Sequence, residues 1–145
     1  MGTTENVDAV RRLEAAYGAR EYDTVRSILA ADVACHTPGS DMMPPAVDGC
    51  IAANEGGFTA YPDKVTEVLD IFGEGDRVVS HVRMTGTNQG GLPWMGIEPN
   101  GNAIDTDWIQ ISRHAGDGTI LETWAQMDTP KMLVQLGAMP APEGM

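Results

Sequence analysis

From Gly86 to Gly137 the chain runs GTNQGGLPWMGIEPNGNAID, TDWIQISR, a GDG turn, ILETWAQMD and TPKMLVQLG, so that turn, strand, turn, strand and helix follow in close succession. Gly116-Asp117-Gly118 joins two strands, Ile104 to Arg113 and Thr119 to Met127, as a hairpin. These strands are apolar but threaded with polar groups. His81, Arg83, Trp108 and Gln110 fall on alternating positions, and a sheet face that packed only against solid core has little use for them. We therefore expect that face to line a cavity.

The preceding sequence supplies the rest of an α+β layer arrangement. Asn6 to Ala19 places Val7, Val10, Leu13, Ala16 and Tyr17 at helical spacing. Asp23 stands as an N-cap ahead of Val25, Ile28 and Leu29, predicting a second short helix to about Ala30. Val33 to His36 reads as a short strand stopped by Pro38 and Gly39. SDMMPPAVDG is a loop, lying over a cavity mouth or simply on the surface. Gly49 to Tyr61 is a helix weakened by Gly56 and Gly57, each costing roughly 1 kcal/mol relative to Ala, and Pro62 ends it. Lys64 to Phe72 and, after the GEGD turn, Arg77 to Thr87 read as paired strands. Asp128 caps a last helix that begins Thr129-Pro130-Lys131 and is closed by Gly137.

Composition narrows the function classes. At 145 residues and 42% apolar the chain is expected to form one domain, 1–145, with one core and one pocket. A formal net charge of −12 argues against nucleic acid, whose affinity comes from Lys and Arg on phosphates, and against an anionic membrane surface. The N-terminus MGTTENVDAV lacks the basic and apolar regions of a signal peptide, so the expected location is cytoplasmic. Cys35 and Cys50 lack CxxC spacing and read as small buried apolar residues, and the scattered histidines predict no metal. His114, in the hairpin turn, is expected in solvent.

Asp76-Arg77-Val78-Val79, Gly86-Thr87, the run Met95 to Gly101, Ser112-Arg113, Asp117 to Ile120, Glu122-Thr123-Trp124, Asp128 and Gln135-Leu136-Gly137 fall in the order and register of one known family. Val10-Arg11-Arg12, Ala16-Tyr17 and His36-Thr37-Pro38 extend the match towards the N-terminus. In these residues the chain resembles the SnoaL-like polyketide cyclases of the nuclear-transport-factor-2-like superfamily. The resemblance implies a cone-shaped barrel in which a strongly bent antiparallel sheet, N-terminal helices and a C-terminal helix enclose one pocket, often within a homodimer paired through the sheet.

It also implies an Asp on the last strand and a His on the strand before it, and the register puts Ala125 and Gln110 at those two positions. Acid–base work then falls to other groups. His81, with Arg83 on the same strand face, is a candidate general base; the plainer reading is an inert, hydrogen-bonded histidine. Arg83 is a clamp on a substrate oxyanion or carboxylate, or else lies at the pocket rim or in an internal ion pair. His36 is the second acid–base candidate, or else a histidine holding the following loop. Trp108, Gln110, Thr123, Ala125 and Met127 are expected to contact substrate, Gln110 by orienting a carbonyl or a water, and Tyr17 either joins them or is a core aromatic on the apolar helix face. Glu122 and Trp124 point the other way, and Asp107 is out of phase with the site.

The leading expectation is an enzyme of secondary metabolism, without metal or organic cofactor, that closes a ring in a hydrophobic polyketide-like intermediate by acid–base catalysis and positioning. A noncatalytic carrier of a small apolar ligand is the alternative. An isomerase, dehydratase or epoxide hydrolase ranks third, since a hydrolase needs a carboxylate that is missing at the expected strand position.

Overall fold

The spacing of apolar residues sets both the helical and the strand layers. A computed structural model describes residues 2–143 and orders them as α1 (Thr3–Ala19), α2 (Tyr22–Ile28), β1 (Leu29–His36), α3 (Ala46–Ala60), β2 (Val65–Glu74), β3 (Arg77–Thr87), β4 (Ala103–His114), β5 (Ile120–Met127) and α4 (Thr129–Gln135). The strands form one curved sheet in the order β1-β5-β4-β3-β2. All neighbours are antiparallel except β1 and β5, which run parallel with Cys35 opposite Thr123 and His36 opposite Trp124. That pair departs from the wholly antiparallel sheet expected from sequence, because α3 and three strands intervene between β1 and its partner.

The stripe on α1 buries Val10 and Leu13 against Val25 of α2, Val33 of β1, Val78 of β3 and Ile120 of β5. Each such side chain contributes about 1.5–3 kcal/mol when fully withdrawn from water. A second cluster, around Ala60, Tyr61, Met84, Ile104, Met132 and Leu136, lies at the other end of the sheet. The two clusters leave a space between the sheet and the helices.

Several local expectations are corrected. Asp23 lies inside the first turn of α2 rather than capping it; Glu21 occupies the cap position. β1 begins at Leu29, so the second helix is shorter than its apolar pattern suggests. Cys35 and Cys50 are joined as a disulfide, since the end of β1 packs against α3 and brings them together across the intervening loop. His114 is 3% exposed, not solvated. Its Nδ1–H donates to the Gly118 carbonyl at 3.0 Å and its Nε2 accepts from the Ser112 hydroxyl at 2.9 Å, so the ring ties the hairpin turn from within. At the other end of the hairpin strand, Asp128 accepts from the Lys131 N–H at 3.0 Å, capping α4 as its sequence predicts.

Candidate active site

Register across the sheet decides which side chains face inward. Trp108 lies opposite Met127, Gln110 opposite Ala125 and Ser112 opposite Thr123, all on the face covered by the helices. On the neighbouring strand Val82 stands opposite Trp108 and Ser80 opposite Gln110, so these and Met84 share that inner face. Here the sheet borders a cavity of about 660 Å³, with Trp108, Gln110, Thr123, Ala125 and Met127 in its wall.

Two helices supply the opposite wall. Leu13, Glu14 and Tyr17 come from α1, and Ala53 and Asn54 from α3, while Met132 of α4 closes the end. The mouth is bounded by the Pro-rich segment from Thr37 to Ala46, which includes a short 3-10 turn at Ser40–Met42, and by Gly91 to Trp94. Trp94 borders the cavity while remaining 56% exposed, as a side chain on the rim would. Gly49 lets the mouth segment lie directly on α3, since a Cβ there would come within 2.0 Å of the Pro44 carbonyl oxygen.

The α1 side of the cavity carries a cluster of polar groups. Glu14 is only 8% exposed, and among the described residues no hydrogen-bond donor serves its carboxylate. Burial pushes its carboxyl from 4.5 up to about 7, partly opposed by the nearby Lys64 ammonium. One turn along, burial raises the Tyr17 phenol far above its usual range, with the charges of Glu14 and Tyr22 adding to the effect, so Tyr17 keeps its proton and is available as a donor. Lys64 donates to Asn54 Oδ1 at 3.1 Å and lies over the Phe58 ring, 4.3 Å from its centroid. Its ammonium is itself lowered by burial. Asn54 in turn donates to the Tyr17 carbonyl at 2.9 Å and to the Tyr22 hydroxyl at 3.0 Å. Gly57 lies against the Lys64 side chain, where a Cβ would stand 2.9 Å from the movable ammonium.

The histidines expected from sequence are elsewhere. His81 stands opposite Ile109 on the outer face of the sheet, where its Nε2 meets Asp107 Oδ2 at 2.5 Å. Arg83, on the same outer face, holds Asp105 through two hydrogen bonds of 2.9 and 2.7 Å. Neither lines the cavity. The correction follows from register: alternation puts His81 and Arg83 in phase with each other but places both out of phase with Trp108 and Gln110 once β3 and β4 pair. His36 borders the cavity at the end of β1, yet its ring stacks on Trp124 and its Nε2 lies 2.7 Å from Glu122 Oε2 on the outer side. The His36 contact and then Arg113 hold the Glu122 carboxyl below its usual range.

Sequence reading passed over Glu14. The signal was present, since Glu14 follows Val10 by four residues and precedes Tyr17 by three, which puts a carboxylate on the same helical face as that apolar pair. Among the described residues no group of three or more His, Cys, Asp or Glu side chains is arranged to hold a metal ion, and no helix is long and apolar enough to cross a membrane.

A family model described as SnoaL-like polyketide cyclase matches residues 7–136. No curated protein matches the chain. Among solved structures, AclR from Streptomyces galilaeus, named as a candidate hydroxylase, superposes with a TM-score of 0.82 at 25% identity, over 98% of this chain and 91% of AclR. IdmH from Streptomyces antibioticus, named as a candidate polyketide cyclase, gives 0.78 at 29% identity over 91% and 98%. A candidate SnoaL-like polyketide cyclase from Jannaschia gives 0.80 at 25% identity over 95% of each chain.

Proposed function

The chain belongs to the SnoaL-like polyketide cyclase family, and on that premise we propose that it is a cofactor-independent enzyme of secondary metabolism that closes a ring in a hydrophobic polyketide-like intermediate. The observation that carries this reading is the cavity of about 660 Å³, large enough for a multi-ring or folded linear substrate and apolar over most of its wall. Ring closure of the aldol type moves protons and forms a carbon–carbon bond without net oxidation, so it needs no redox group.

In this reading the substrate skeleton packs on Trp108, Ala125 and Met127, and the Gln110 carboxamide orients a carbonyl. The protonated Tyr17 hydroxyl donates to oxygen as negative charge develops on it. Holding the chain ends as a near-attack conformer supplies much of the rate. The substrate is a small apolar molecule, and the active unit is a homodimer paired through the sheet.

A carrier without turnover is the second reading, and Gln110 opposite Ala125 favours it, because the strand positions at which the resemblance implies a His and an Asp hold groups that exchange no proton. A thermal-shift screen of the protein against linear and aromatic polyketide intermediates, followed by mass analysis of each stabilising compound, separates the two. Conversion to an isomeric or dehydrated product is the expected outcome. Return of every bound compound unchanged would move the assignment to the carrier.

A further inference from the structure

Glu14 is not accounted for by the fold. A carboxylate that served only structure would be expected to find a partner, since removing a charged group from water without one is costly. Instead it sits on the cavity wall beside Tyr17 with no hydrogen-bond donor among the described residues, and the Lys64 ammonium, which donates to Asn54, acts on it through its charge. Glu14, Gly18, Lys64 and Thr66 border both the large cavity and a smaller cleft between α1 and β2 that also includes Arg11, Ala15 and Val65. A proton on Glu14 can therefore equilibrate with water on one side while the group addresses an apolar ligand on the other.

We propose that Glu14 is the proton-transferring catalytic residue of this cavity, working from α1 rather than from the last strand. The proposal rests on the reading that the cavity is a reaction chamber. In a ring closure the Glu14 carboxylate removes a proton from carbon next to a carbonyl, giving an enolate whose oxygen is met by the Tyr17 hydroxyl. The enolate carbon attacks a second carbonyl carbon, a carbon–carbon bond forms, and the resulting alkoxide takes the proton back from Glu14. No atom or electron is left over.

A base of this kind needs a pKa close to the working pH, and burial lifts Glu14 into that range. The charged and titratable groups around it are Lys64 before β2, Tyr17 on its own helix and Arg11 in the shared cleft, with Glu55 and Arg20 acting on Lys64. Lys64 is a positioning residue: its charge favours the ionised form of Glu14.

The test uses nitrobenzisoxazole, a flat apolar carbon acid that fits the cavity. A base takes its ring C–H proton, the N–O bond breaks with its electron pair leaving on oxygen, and the carbon becomes a nitrile, releasing a coloured phenolate. The wild-type protein is expected to give saturable elimination that falls about 100-fold in Glu14→Gln, while His81→Ala leaves it unchanged. The rate should rise with pH through an inflection near 7. Lys64→Met, removing a charge that favours the carboxylate, should move that inflection upward. Absence of saturable elimination, survival of the rate in Glu14→Gln, or an inflection unmoved by Lys64→Met would each overturn the assignment. Should Glu14→Gln fail to fold, the wild-type profile and its displacement in Lys64→Met still decide it. Because the probe is not a polyketide, failure here is distinct from failure to find a polyketide product.

Discussion

A carboxylate on the buried face of α1 makes the fold itself sensitive to pH. The folded carboxyl titrates near 7 and the unfolded one near 4.5, so between these values the native chain holds a proton that the unfolded chain has released. Stability is therefore expected to fall as pH rises through that window, by about 3 kcal/mol from this group. Urea unfolding of the wild type and Glu14→Gln at pH values below 4.5 and above 7 checks it, and the variant should lack this part of the slope. Glu14 also shows how single residues are misread. A charged residue in an apolar stripe passes for an interruption until the neighbouring wall is known, whereas His81 and His36 attract notice by chemistry alone and turn out to be engaged by Asp107 and Glu122.

At the scale of elements, α4 is short and depends on its ends. Asp128 satisfies one free N–H of the first turn, and the helix then lays Met132 and Leu136 on the second core cluster. Asp128→Ala should cost about 1 kcal/mol, read as a lower midpoint in chemical unfolding with the slope unchanged. Because Met132 also closes one end of the cavity, the same variant should loosen ligand binding. Strand alternation was legible in most of the sheet: the span Arg77–Thr87 is the one its pattern predicts, β2, β4 and β5 differ by one or two residues at their ends, and β1 begins at Leu29 rather than Val33. The relative phase of two strands was not. It depends on the register that brings Val82 opposite Trp108, and a slip of one residue would have put His81 inside.

For the whole molecule, the outer face of the sheet is the unfinished surface. Val65, Phe72 and Ile109 are more than half exposed there, among the His81–Asp107 and Arg83–Asp105 pairs. Exposed apolar groups rimmed by charge suit a self-complementary contact. We expect the protein to run as a dimer in light scattering and Ile109→Glu to run as a monomer; a monomeric wild type would remove the dimer from the proposed function. On the inner face the cavity is held between two apolar clusters.

The sequence by itself determined the α+β class, the element order, the cap of α4 and the inward set Trp108, Gln110, Thr123, Ala125 and Met127, because periodicity and capping act over a few residues and leave local marks. Only the tertiary structure decided that Cys35 meets Cys50, that β1 runs parallel to β5, that His114 is buried and that His81 and Arg83 face away from the cavity. It alone placed Lys64 near Glu14, 50 residues apart in the chain. These features depend on contacts between distant segments, and the environment of a carboxylate is set by what folding brings around it.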